Sequence, residues 1–214
     1  MRYESTPFQC ILFFSRMTAL TLLWALLCVP ILTAGAATAS LYYSVWKVRI
    51  GEDHDLFRQF WSQFRHDLRP GVFMNAIMIV LGLVCLYFPL SFLEAIEVPL
   101  ISRILLGIYT VVFLTVSSCL WPLLGRFQNS ASGYFLSALQ IAIRHFPRIL
   151  LVTLVDLLPF LLCWFFSDWW LLILTAYLLF GRAFTALINE AVLSRIFARY
   201  ALERGENDAQ NRLL

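Results

Sequence analysis

Apolar positions in this chain are grouped in runs of whole-helix length. Gly71 to Leu93 carries no charge, and neither does Ile104 to Gly125. About 20 apolar residues cross a hydrocarbon core of roughly 30 Å, so both runs qualify as spans. Ile149 to Phe166 qualifies with one acid inside, Asp156, and Trp169 to Ile188 with one base, Arg182. Phe8 to Leu32 is a further run with Arg16 near its start. The pattern predicts spans at about 8–32, 71–93, 104–125, 149–166 and 169–188.

Between the spans the period is helical and two-sided. In LFRQFWSQFRHDLRP, Leu56, Phe57, Phe60, Trp61, Phe64 and Leu68 share one face, and Arg58, Gln63, Arg65, His66 and Arg69 cover most of the rest. An apolar face opposed by bases is the pattern of a helix lying in the membrane interface. In GYFLSALQIAIRHFPRI the polar stripe narrows to Ser137, Gln140 and Arg144. Pro147 then falls where a helix tolerates proline, in its first turn. After Asn189, the residues Val192, Leu193, Ile196, Phe197 and Tyr200 oppose Arg195, Arg199 and Glu203. Interfacial helices are thus expected at about 36–50, 55–68, 131–146 and 191–203, within one integral domain over 1–204. Residues 205–214 read as a polar, frayed tail. RHDLRP at Arg65 to Pro70 and RHFPR at Arg144 to Arg148 form a weak echo, each placed before a span, as a parallel duplication would leave them.

Composition agrees with lipid as the main solvent. Hydrophobic residues make up 61% and charged residues 14%, against about half and a quarter in soluble domains. The net charge of +3 is mild, and no basic run is dense enough for nucleic acid. Placement says more: twelve of the sixteen bases lie at Lys47 to Arg69, Arg126 to Arg148 and Arg195 to Arg212. The links between them, Glu94 to Arg103 and Ser167–Asp168, are nearly free of bases. The positive-inside rule then puts the basic zones and the C-terminus in the cytoplasm and the N-terminus outside. The five cysteines sit in apolar runs without a CxxC pair, and read as small packing residues.

Residues 26–53, LLCVPILTAGAATASLYYSVWKVRIGED, pose a separate question, because Ala34-Gly35-Ala36 and Ala37-Thr38-Ala39 imitate a signal-peptidase site. Arg2 is balanced by Glu4, and the run from Met17 to Leu32 is too long for a signal core. The segment therefore reads as uncut, with Pro30 and Gly35 forming a hinge before a helix that lies on the membrane or dips into it. The stretch LLWALLCVPILTAGAATASLYYSVWKVRIGEDHDLFRQFWSQFRHDLRPG resembles the hallmark segment of the YesL-like bacterial membrane proteins, a family of unknown function. PLLGRFQNSASGYFLSALQIAIRHFPRILL and INEAVLSRIFARY also fit its pattern, so the resemblance covers nearly the whole chain. Arg182 departs from that pattern. The resemblance implies an uncut integral protein of five or six helices, associated with bacterial carbohydrate uptake and breakdown. It implies no activity and no catalytic residues.

Charges inside a membrane usually face a partner or a cavity. Spans four and five are joined by a two-residue link, which makes them antiparallel and brings Asp156 and Arg182 to similar depth. An ion pair locking the hairpin is one reading, and a substrate- or proton-handling pair another. Thr185 and Asn189 follow Arg182 on one face, and Asn75 sits at comparable depth, so these three are candidates for a polar pocket. Arg65, His66, Arg144, His145 and Arg148 are candidates for contact with lipid headgroups or an anionic ligand. His54 reads as a solvated turn residue. No nucleophile motif, metal-ligand spacing or phosphate loop is present, so no enzyme activity and no cofactor are expected. The expectation is an all-α polytopic membrane protein of five transmembrane helices, or six, with basic amphipathic helices on the cytoplasmic face. Its expected role is an accessory or assembly partner for a sugar transporter. A small transporter or channel subunit working as a homo-oligomer is the alternative, and a membrane-embedded enzyme ranks third.

Overall fold

The computed structural model describes residues 6–51, 55–85, 99–127 and 129–211, with side chains from 11 to 200 within those ranges. In chain order come α1 (Thr6–Leu27), a 3-10 turn (Ile31–Thr33), α2 (Ala34–Arg49), α3 (Leu56–Cys85), α4 (Leu100–Arg126) and α5 (Ala131–Arg144). They are followed by α6 (Phe146–Phe165), α7 (Trp170–Ala176), a π-helical turn (Tyr177–Gly181) and α8 (Arg182–Asn211). Among the described residues there is no strand. Four helical stretches among the described residues are long and apolar enough to cross a membrane: Leu56–Cys85, Leu100–Arg126, Phe146–Phe165 and Ser167–Tyr200. Ile11–Leu27 is apolar but shorter.

Helix α2, expected to lie on the membrane or dip into it, is the axis of the bundle. Every residue from Gly35 to Tyr42 is buried, and Ala36, Ala37, Ala39, Ser40 and Leu41 have no exposure. Its side chains are too small to make an amphipathic face, and that smallness is what admits neighbours. A methyl group on Gly71 of α3 would sit 2.8 Å from Cα and Cβ of Ala36, and one on Gly125 of α4 would sit 2.5 Å from the carbonyl oxygen of Ala39. A methyl on Gly35 would strike the Trp121 ring at 2.5 Å. Glycine thus serves close backbone approach at these crossings, as small residues do in helix pairs within lipid. Pro30 does lie in the turn, but Gly35 is already helical.

The helix expected at 55–68 and the span expected from Gly71 are one continuous helix, with Pro70 inside it. Proline removes one backbone hydrogen bond and usually bends a helix. Here Phe60, Phe64, Asp67, Gly71, Met74 and Met78 are all buried, at alternating spacings of four and three. That seam continues past Pro70, so packing on both sides keeps the helix unbroken there. The rest of the expected span, 86–93, lies outside the described residues. The span expected at 169–188 and the helix expected at 191–203 are likewise continuous except for the π-helical turn, and helix continues into the expected tail as far as Asn211. In α5 the small face, with Tyr134, Ser137, Ala138, Ile141 and Ala142, turns inward, while Leu136, Leu139 and Ile143 point out. Ser137, expected in a polar outer stripe, therefore faces the bundle. Arg65–His66 lies within α3, whereas Arg144–His145 lies at the break between α5 and α6, so the sequence echo has no structural counterpart.

Polarity is distributed as lipid demands. Ser40, Ser44, Asn189 and Glu190 are wholly buried, while Trp164 and Phe165 are 83% and 79% exposed at the end of the α6–α7 hairpin.

Candidate functional site

Asp156 and Arg182 meet inside the bundle. The short turn at Phe166–Trp169 folds α7 and α8 back along α6, and Arg182 Nη1 donates to Asp156 Oδ1 at 2.9 Å. The same carboxylate oxygen accepts from Asn189 Nδ2 at 3.0 Å, and that amide also donates to the Tyr42 hydroxyl of α2 at 3.1 Å. The π-helical turn directly before Arg182 carries Tyr177, whose hydroxyl lies 3.4 Å from Arg182 Nη1. Such turns add a residue to a helix, re-aim the side chains that follow and recur at functional positions. The guanidinium also lies over the rings of Trp24 and Tyr42, 5.4 and 5.9 Å from their centroids. Trp24 Nε1 in turn donates to Thr38 Oγ1 at 3.1 Å.

Asp156, Arg182, Tyr42, Tyr177 and Trp24 border a cavity of about 280 Å³ whose walls also include Trp121, Ser117, Ser118, Thr153 and Phe160, with Asn189 bonded behind the Asp156 carboxylate. Charge there is balanced. The arrangement can hold α6, α8, α1 and α2 together through one polar knot, and it presents hydroxyls beside aromatic rings. Of the expected pocket residues, only Asn189 joins it. Asn75 Nδ2 donates to the carbonyls of Ile31 and Leu32, at 2.7 and 3.3 Å, and so ties α3 to the turn before α2. Thr185 returns its hydroxyl to the Arg182 carbonyl at 2.9 Å.

A second buried charge cluster escaped sequence reasoning. Glu190 of α8 has no exposure and pairs with Arg126 at the end of α4. Arg49 at the end of α2 donates to the Glu190 carbonyl at 3.0 Å, with its carboxylate 3.9 Å away. Arg126 stacks over Trp46 and Phe197, at 4.8 and 5.3 Å. The signal was there to read: Glu190 falls on the helical stripe of Ala186, Leu193 and Phe197, where an acid needs a buried partner. Asp67 was missed in the same way. It is buried on the seam of α3 and accepts from Gln63 at 2.8 Å, with His66 Nδ1 also 2.8 Å away.

The surface candidates are dispersed. Arg65 covers the Trp61 ring at 5.1 Å, and His66 pairs with Asp67. Arg144 and His145 lie at the α5–α6 break, and Arg148 is exposed one turn further on. Cys28, Cys85, Cys119 and Cys163 are free thiols, and among the described residues no three metal-ligating side chains cluster. His54 lies outside the described residues.

The fold and these buried charges define a protein whose described residues are all-helical, with four helices among them fit to cross a membrane. Residues 17–88, about a third of the chain, match a family model described as a protein of unknown function, DUF624. That segment runs from within α1 through α2 and α3, so it contains the bundle's axis and the crossing of Ala36 with Gly71. No curated protein and no solved structure matches the chain significantly.

Proposed function

We propose that this chain is a YesL-like protein of the bacterial inner membrane, serving as a non-catalytic accessory or assembly partner in carbohydrate uptake. The observation that carries the non-transporting part is the close packing along α2, beside which the Asp156–Arg182 cavity of about 280 Å³ remains. Helix α2 occupies the axis, and its crossings with α3 and α4 leave no room for a single methyl group. Alternating access needs two packings about a central site, and a glycine-seated axial helix resists that. The carbohydrate context rests on the family resemblance alone, because the family model matched over residues 17–88 carries no described function.

On this reading the basic ends of α2, α4 and α8 face the cytoplasm, five helices cross, and the N-terminus lies outside. The bond from Trp24 to Thr38 lays α1 alongside α2, which favours a second arrangement of six crossings with both termini inside. A reporter fused ahead of Thr6, active on only one side of a membrane, distinguishes the two. For function, an accessory protein co-purifies with a transporter from native membranes in mild detergent and moves no labelled sugar in proteoliposomes. Uptake by the purified chain alone would replace this reading with an oligomeric transporter using the Asp156–Arg182 cavity.

A further inference from the structure

At the break between α5 and α6, a groove of about 720 Å³ opens against α8. Its walls carry Arg144 and His145 from the break, Arg199 and Tyr200 from α8, and Gln140 from α5. Its floor is Ile141 and Ile196, both buried, with the exposed Ile143 at the edge. None of the described lining residues is acidic. The Tyr200 ring is fixed by a 2.7 Å hydrogen bond between its hydroxyl and Ser137 Oγ. His145 is also the residue from which α6 starts, so the positive end of that helix dipole lies at the same place.

We propose that this groove binds a phosphate group attached to an apolar moiety, with Arg144 and Arg199 as the charged jaws. Two guanidiniums suit phosphate because their planar donor forks match its oxygens. The isoleucine floor gives the attached chain a dry surface, which inorganic phosphate would leave unused. Two sources share this chemistry, the headgroup of an acidic phospholipid and a soluble phosphate ester. The groove is separate from the Asp156–Arg182 cavity and needs no assumption about transport.

The test uses the full chain in a non-ionic detergent, titrated with dioctanoyl phosphatidylglycerol, dioctanoyl phosphatidylcholine, hexyl phosphate and inorganic phosphate, with binding followed by thermophoresis. Phosphatidylglycerol is expected to bind in preference to phosphatidylcholine. The double variant Arg144→Gln/Arg199→Gln should weaken it by a factor of about ten or more, as each cation near an anionic headgroup contributes about fivefold. A charge-matched control, Arg58→Gln/Arg69→Gln, removes two exposed arginines of α3 and should leave affinity within about twofold. Binding of hexyl phosphate that the double variant also loses would keep the groove and assign it to a soluble ester. Equal affinity for the two lipids with no binding of either phosphate, or equal losses in variant and control, would overturn the proposal. Thermal unfolding of each variant checks that the fold survives, and Arg144→Lys/Arg199→Lys, which keeps the charge but loses the donor forks, should bind more weakly than wild type and more tightly than the glutamine variant.

Discussion

Gly71→Ala tests whether α2 is the axis on which the bundle depends. The added methyl would lie 2.8 Å from both Cα and Cβ of Ala36 and 2.9 Å from its amide nitrogen. Two of those atoms are backbone, so no side chain can swing aside. Relief requires α2 and α3 to part by roughly half an ångström, and a gap of that size forfeits about a quarter of each dispersion contact across it. Overpacking of this kind costs about 1–3 kcal/mol. Alanine's better helix propensity returns up to about 1 kcal/mol, so a net loss near 1–2 kcal/mol is expected. Gly82→Ala is the internal control: its methyl would meet only the tip of the Phe113 ring, at 3.2 Å, and a ring can tilt. Unfolding in detergent, followed by tryptophan fluorescence on heating at one fixed scan rate, should show Gly71→Ala melting several degrees below wild type and Gly82→Ala close to it. If the two variants melt together, or Gly71→Ala gains stability, the close-packed axis is wrong.

Two further substitutions probe the buried charges. Asp156→Ala leaves Arg182 unpaired in the bundle and should destabilise by about 3–5 kcal/mol, whereas Asp156→Ala/Arg182→Leu should recover much of that loss; heating curves of the single and double variants decide it. A double variant no better than the single would show that Arg182 has other obligatory partners. Glu190→Gln keeps the shape but strips the countercharge from Arg126, and about 2–4 kcal/mol should be lost. Arg126→Met in the same background should restore part of it in the same assay, and no restoration would mean that the pair does not act as a unit.

Much of the helical content was legible in the sequence because it follows from local rules. Runs of apolar residues must hydrogen-bond their own backbone in lipid, so they form helices wherever they are placed. The two-residue link between spans four and five likewise allows only an antiparallel hairpin, and Asp156 and Arg182 lie at similar depth within it. What the sequence could not decide was which helix lies at the centre. Hydropathy ranks α2 as the least membrane-like apolar segment because Ala, Gly, Ser and Thr carry little apolar area. Those same residues let backbones approach closely, and their partners, Gly71 and Gly125, lie 35 and 86 residues beyond Ala36 and Ala39. Periodicity within a segment carries no information about such pairings. Pro70 misled for the same reason: its local preference for breaking a helix yields to the seam from Phe60 to Met78, which only the packed bundle supplies. Asn75 separated from Asn189 because equal depth along a helix does not imply a shared face. Glu190, Arg126 and Arg49 come together from three helices, so their salt bridge exists only once α2, α4 and α8 have closed around it. The sequence by itself determined that this chain forms membrane-fit helices with two charged groups at one depth. Tertiary structure alone decided what fills the middle, because that depends on the fit of small residues far apart in the chain.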